Sequence, residues 1–287
     1  PGLSPGLMMP IEVGGPFEMI GIDIQGPFPK SEQGNKYIIV ATDYLTKHVE
    51  MKAVPAANSW EVSKFLLDEI MCRHGCPQRI LSDRGLPFLS NVTKDVYKLM
   101  NTKHVKTTSY HPQTNGLVEK CNGIAGGMLS MFVNKEQSNW DRVIKMIAWA
   151  YNTSVHETTG FSPFFLLYGR EPRLPVNAAL NSPSLGISDV ETYQSQIRSA
   201  LNTAHEIARE NIKKAQIKYK ERGDKKRRAV EYNNGDLVLV YTPRRIKGKA
   251  EKLLHPYHGP FKVLRRLSTV VYEVAPVSGR RKPDFVH

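Results

Sequence analysis

Three acidic residues stand in contexts that ordinary surface acids do not share. They are Asp23 in Gly21-Ile22-Asp23-Ile24-Gln25-Gly26-Pro27, Asp83 in Ile80-Leu81-Ser82-Asp83-Arg84-Gly85, and Glu119 in His111-Pro112-Gln113-Thr114-Asn115-Gly116-Leu117-Val118-Glu119-Lys120. Asp23 interrupts the apolar run Met19 to Ile24, which reads as a buried strand. An ionised group drawn out of water without a partner is costly, so this position calls for a cation or for hydrogen bonds. Asp83 follows Ile80-Leu81 and precedes Arg84-Gly85, the pattern of a strand end opening into a loop. Glu119 falls in the first turn of a stretch whose Leu117, Ile124, Met128, Leu129 and Phe132 suggest a helix. Three hard oxygen donors on three separate elements suit Mg2+ or Mn2+. Two such ions, roughly 4 Å apart, can hold the attacking and leaving oxygens of an in-line displacement at phosphorus. Singly, each acid also reads as an ordinary solvated carboxylate, so the surroundings must decide.

The elements that would position these acids follow from periodicity and breakers. Strands are expected near 18–24, 37–43 and 48–54, antiparallel neighbours joined by short turns such as Ser31-Glu32-Gln33-Gly34-Asn35. Asn58-Ser59 offers a cap for a helix whose Trp60, Val62, Phe65, Leu66, Ile70 and Met71 share one face to about residue 74, with Pro77 as its stop. A strand near 79–82, a helix near 90–101 and a β-rich run over 104–109 come next. The Glu119 helix and a helical pair near 139–153 and 162–168 follow. Residues 187–231 read as one long helix, with Tyr193, Ile197, Leu201, Ala204, Ala208, Ile212, Ala215 and Tyr219 on a narrow stripe. That stripe could pair with another helix or cover the core. From residue 235 the pattern becomes short strands separated by turn signals, which fits a small barrel.

Taken together, GIDIQGP, YIIVATDYLTKHVEMKAV, ILSDRG, TTSYHPQTNGLVEKCN and WAYNTSVHETTGFSPFFLLYGREPRLP resemble the integrase of gypsy-type LTR retrotransposons and their retroviral relatives. These are DDE-family polynucleotidyl transferases. Thirty-five residues separate Asp83 from Glu119, as that family's pattern requires. The resemblance covers about residues 10 to 180, and Gly259-Pro260-Phe261 extends it by matching the Gly-Pro-Tyr/Phe motif of the family's C-terminal domain. It implies an α/β fold with an RNase H-like catalytic core over 18–182, a mixed sheet flanked by helices. A basic helical linker over 183–234 and an all-β barrel of the Src-homology-3 type over 235–287 would follow. It implies Asp23, Asp83 and Glu119 as catalytic residues and as ligands of two Mg2+ ions, with Mn2+ as a substitute. The implied activity is 3′-end processing and strand transfer of element DNA into target DNA. Gln113, Asn115, Lys120 and Asn122 would meet the donor DNA end. Partners would be double-stranded DNA, further copies of the chain in a tetramer or larger assembly, and a chromatin protein. Two departures support an alternative, a domesticated or decayed relative that binds DNA or assembles without catalysis. Gly123, Gly126 and Gly127 fall in the Glu119 helix, at about 1 kcal/mol each relative to Ala, and Leu86-Pro87 follows Gly85.

Charge is uneven along the chain. Residues 1–182 carry 18 Lys+Arg against 16 Asp+Glu, whereas 183–287 carry 22 against 11, so nearly all of the net +13 lies in the last third. A polyanion partner is expected, bound with strong salt dependence. Arg244, Arg245, Lys247, Arg265 and Arg266 suit phosphate backbones more than base edges. Lys225-Lys226-Arg227-Arg228 reads equally as a phosphate contact, a nuclear localisation patch or a solvated helix end. A nuclear, intracellular location is expected. No run of eighteen apolar residues occurs, so no membrane span is expected. Three cysteines, Cys72, Cys76 and Cys121, are too few for a disulfide scaffold. Cys72-Arg73-His74-Gly75-Cys76 lacks the ligand spacing of structural zinc. The family's N-terminal His/His/Cys/Cys module is not in this sequence, and no zinc is expected in the chain. Residues 1–17, rich in Pro and Gly, read as the linker that would follow such a module, and the sequence as a fragment of a longer protein.

Overall fold

The computed structural model describes residues 11–106, 116–173, 190–224, 231–241, 257–267, 271–277 and 283–286. These form two compact units, one from residues 11–106 and 116–216, the other from 217 onward.

In the larger unit, β1 (Met19–Gln25), β2 (Tyr37–Asp43) and β3 (Val49–Val54) form an antiparallel meander. To its β1 edge are added β4 (Arg79–Ser82) and β5 (Lys103–Lys106), both parallel, giving the order β3-β2-β1-β4-β5. Because successive side chains alternate between faces, the run Ile38-Ile39-Val40-Ala41 feeds two cores at once. Ile39 and Ala41 join Ile20, Ile22 and Ile80 under the helix that follows β3. Ile38 and Val40 join Val49 and Met51 on the opposite face. Helices cover both faces, which is why these strands read as unbroken apolar runs rather than as alternating ones.

The first covering helix begins at α1 (Ser59–Phe65), where Asn58 Oδ1 accepts the Glu61 N–H at 2.9 Å, the cap expected from the sequence. It runs on through a π-helical stretch, Leu66–Met71, into α2 (Cys72–His74). Its stop is Gly75, at φ +88°, two residues before the Pro77 named from the sequence. Short α3 (Leu86–Leu89) and α4 (Asn91–Leu99) complete that face, Phe88, Val96 and Tyr97 packing into its core. On the other face, α5 (Gly116–Phe132) buries Val118, Cys121, Ala125 and Leu129, spaced three or four apart, against Trp140, Ile144, Ile147 and Tyr151 of α6 (Trp140–Thr153).

After α7 (Pro163–Tyr168) comes the long helix α8 (Val190–Asp224). Of the two roles open to its stripe, Ala204, Ala208 and Ile212 take the second and cover Leu45 and Leu166 of the core. His205 Nε2 lies 2.7 Å from the Leu166 carbonyl, and Asn211 donates to the Thr159 carbonyl at 3.1 Å. Arg209 and Gln216 donate to the carbonyls of Gly14 and Ile11, so residues 11–17 lie along this unit instead of trailing from it. Phe17 is buried.

The smaller unit is a four-stranded antiparallel sheet, β6 (Leu237–Tyr241), β7 (Tyr257–Arg266), β8 (Tyr272–Pro276) and β9 (Asp284–Val286), with Val263, Tyr272 and Val274 as its core. The fold class expected from the sequence is thus present, a mixed α/β core with a small all-β domain. Gly259 explains the Gly-Pro-Phe motif physically. At φ +152°, a Cβ there would lie 2.9 Å from the Val238 carbonyl on the paired strand. Among the described residues, no helix is long and apolar enough to cross a membrane.

Candidate functional site

Strand register relates two of the three acids. The β1–β4 pairing aligns Met19 with Arg79, Ile20 with Ile80 and Gly21 with Leu81, an offset of 60. Carried two residues further, the same offset aligns Asp23 with Asp83, at the same ends of adjacent parallel strands. Asp23 lies where β1 passes from buried to half-buried, and Asp83 is exposed just beyond β4. Gly26 fixes the turn after β1. It sits at φ +126°, and a Cβ would come within 2.7 Å of the Lys36 carbonyl.

Both carboxylates are oriented by amide donors. Asn122 Nδ2 donates to Asp23 Oδ2 at 2.8 Å, and the Gly85 N–H donates to Asp83 Oδ1 at 2.8 Å. Asn122 is on α5, the helix that carries Glu119 one turn earlier. The side chain of Glu119 lies outside the described residues. So do Gln113, Asn115, Lys225, Lys226, Arg227, Arg228, Arg244, Arg245 and Lys247. Of the DNA-contact candidates that are described, each basic residue is held by an acid of its own unit. Lys120 meets Glu157 at 3.2 Å, Arg266 meets Glu231 at 3.0 Å, and Arg265 meets Glu273. Exposed pairs of this kind contribute about 0–1 kcal/mol, so exchange for a phosphate oxygen costs little.

The most deeply buried carboxylate among the described residues is Asp43, which no sequence motif singles out. It is wholly buried at the end of β2. Its Oδ1 accepts the Phe17 N–H at 2.9 Å, and its Oδ2 accepts the Thr46 N–H at 2.7 Å and the Thr46 hydroxyl at 2.6 Å. Burial raises its pKa, opposed by those hydrogen bonds and by Lys47. Lys47 is itself buried, at φ +66°, donating to the Tyr44 carbonyl at 2.7 Å. Burial lowers its pKa to about 8, which Asp43 opposes and Lys120 reinforces. His156, pushed down to about 4 mainly by burial and then by Lys47 and Lys120, is a neutral neighbour of these two lysines. No motif announces this group, because its members come from β-turn, helix and loop.

The assembled features define a class: an RNase H-like core with paired acids at neighbouring strand ends, followed by a small β domain. Comparison with known proteins narrows it. Residues 259–287 match the family described as integrase p58, C-terminal domain. The chain is 27% identical over 249 residues to the retrovirus-related Pol polyprotein from transposon 412 of Drosophila melanogaster, covering 86% of this chain and 20% of that one. It is 27% identical over 165 residues to the human Gypsy retrotransposon integrase-like protein 1, covering 58% and 31% respectively. The chain thus spans a fifth to a third of the length of these curated relatives. In fold it is similar to a chain of the simian T-cell lymphotropic virus intasome in complex with PP2A regulatory subunit B56 gamma, at TM-score 0.56 and 17% identity over 99% of this chain and 80% of that one. This chain resembles the integrases of gypsy-type retrotransposons and retroviruses.

Proposed function

We propose that the chain is a polynucleotidyl transferase that trims the ends of element DNA and joins them to target DNA. What supports the reading is the β1–β4 register, which extended by two residues aligns Asp23 with Asp83, with Asn122 tying the Glu119 helix to Asp23. Carboxylate oxygens converging from adjacent strand ends fit hard divalent cations. Asp23, Asp83 and Glu119 would hold two Mg2+ ions, or Mn2+ in their place, which when bound activate the attacking oxygen and neutralise charge at the scissile phosphate.

The protein's own part is positioning. Asn122 and the Gly85 amide hold two carboxylates in fixed orientations, so their geometry is set before DNA arrives. Lys120, released from Glu157, would meet a phosphate of the element end, with Gln113, Asn115 and Asn122 on the same DNA. Lys225, Lys226, Arg227, Arg228, Arg244, Arg245, Lys247, Arg265 and Arg266 would hold backbone phosphates. Water is the nucleophile in trimming and the exposed 3′-hydroxyl in joining, so one site serves both steps without a covalent protein intermediate. Two ends joined to one target call for an oligomer, a tetramer or larger. The setting is nuclear, with a chromatin-bound protein as a further partner.

The test is reversal of strand transfer on a branched DNA with Mg2+ or Mn2+. Wild type should resolve the branch, and Glu119→Gln should abolish turnover while leaving DNA binding unchanged. Leu86, 83% exposed and three positions after Asp83, and the glycines of α5 favour the second reading, a DNA-binding relative without catalysis. DNA binding with no metal-dependent turnover, in a folded protein, would select it.

A further inference from the structure

A second cluster of ligating groups lies elsewhere in the larger unit. His48 immediately precedes β3, Glu50 lies on β3 two residues later, and His74 ends α2. Residues two apart on an extended strand share a face, so His48 and Glu50 present together. The left-handed Gly75 terminates the helix at His74, opposite them. One ligand atom from each of the three lies within 4.8 Å of the others. His74 Nε2 is 2.8 Å from Glu50 Oε1, and the two imidazole rings stand 5.6 Å apart at 63°.

We infer that His48, Glu50 and His74 bind one divalent transition ion of the zinc class, clamping β3 to the end of α2. Two imidazoles and one carboxylate are the donor set that Zn2+, Co2+ and Ni2+ prefer, whereas Mg2+ selects oxygen donors and retained water. The cluster is enclosed: His48 is 5% exposed and Glu50 7%, and Phe17 stacks on the His74 ring at 3.8 Å. His48 Nδ1 is buried and has no hydrogen-bond partner in the protein, an arrangement that folded proteins seldom tolerate without a function for the atom. Arg73 holds Glu50 Oε2 at 3.1 Å, which orients the carboxylate so that Oε1 faces His74. Arg73 also reaches Glu69 at 3.1 Å, so its own charge is shared with a second acid. Water would complete a tetrahedral site. Neither Cys72 nor Cys76, both exposed, belongs to this cluster, so the site departs from the zinc-free expectation by a route that the Cys-x-x-x-Cys spacing did not suggest.

Chelator-treated full chain is titrated with Co2+, whose visible absorption reports coordination by imidazole and carboxylate, and Zn2+ is then added to displace it. Expected are one equivalent bound and a thermal midpoint raised by about 5–10 °C at a hundredfold excess of Zn2+ over its Kd. Mg2+ at the same concentration should produce neither. His74→Gln should weaken binding at least tenfold. Glu50→Gln, which keeps the side-chain shape, serves as the second variant should His74→Gln fail to fold, and should weaken binding likewise. The Cys72→Ser, Cys76→Ser double variant should bind as wild type does. Absence of Co2+ binding by folded wild type would overturn the inference, leaving a hydrogen-bonded His–Glu pair only. Binding that is lost with the cysteines but kept in His74→Gln and Glu50→Gln would overturn it equally. No DNA enters the assay, so its outcome is independent of the proposed transferase activity.

Discussion

The hydrogen bond from Asn122 to Asp23 separates a positioning role from a structural one, because its removal should affect turnover and stability very differently. In Asn122→Ala the Asp23 carboxylate loses an amide donor at 2.8 Å. A hydrogen bond to a charged group contributes roughly 1.5–3 kcal/mol. The same truncation removes Asn122 Oδ1, a buried acceptor with no partner in the protein, whose presence costs roughly 1–3 kcal/mol. The two effects offset, so folding stability should change by no more than about 1 kcal/mol. Turnover has no such offset. If Asp23 must be held in one orientation in the transition state, the full value of the bond is lost there, and branched-DNA reversal should slow by about 10- to 150-fold. The loss should be partly recovered at higher Mn2+ concentration, while DNA affinity falls only by the one contact Asn122 would make, roughly two- to tenfold. The assay is the single-turnover rate against metal concentration, with the thermal midpoint measured in parallel. Unchanged rates would refute the positioning argument, and a large drop in midpoint accompanying slow turnover would make Asn122 a structural residue.

Gly126→Ala and Gly127→Ala should each stabilise the larger unit by up to about 1 kcal/mol, read by chemical denaturation, since an added Cβ meets nothing within 4 Å at either position on α5. Gly26→Ala should do the opposite and cost several kcal/mol, because its Cβ would press on the Lys36 carbonyl at a backbone angle that disfavours L-residues; a denaturation midpoint equal to wild type would count against the turn geometry. Burial first, then His74 and Arg73, push the pKa of His48 down to about 3 from an unfolded value near 6.5. Below about pH 6.5 the unfolded chain therefore takes up a proton that the folded chain refuses, so stability is complete above that pH and falls as pH drops toward 3. Between pH 7 and 5.5 His48 should contribute a loss of about 1 kcal/mol, with additions of similar size in the same sense from His104 and His156, both held near 4 by burial. Denaturation in chelator at the two pH values, with His48→Gln for comparison, measures it, and an equal slope in the variant would contradict the assignment.

The strands and helices of the larger unit were legible because local and tertiary preferences agree there. The apolar run of β2 is continuous since both faces are covered, and Asn58 caps α1 with the hydrogen bond its type predicts. What the sequence could not show were partnerships made across distance. It marked Asp23 as the acid inside the core, yet Asp23 is half-buried and Asp43 is the one that is sealed. The difference turns on the Phe17 amide, which reaches Asp43 from 26 residues away out of a segment that composition alone described as linker. In the same way Arg265 and Arg266, read from the sequence as phosphate contacts, lie on β7 and are paired with Glu273 and Glu231.

The candidate site shows why motif and geometry are complementary rather than redundant. The sequence distance between Asp23 and Asp83 carries no chemistry by itself, because a parallel pair is joined by a crossover of about a dozen residues or more with no set length. That distance acquires meaning only when the β1–β4 register adopts the same offset of 60 and places both acids at neighbouring strand ends. A register slip of one residue would turn one carboxylate to the opposite face of the sheet and dismantle the pair. The packing that forbids the slip is the burial of Ile20 and Ile22 beside Ile80 on one face and of Met19 beside Leu81 on the other. The apolar residues on either side of each acid are therefore as much a condition of the chemistry as the acids themselves.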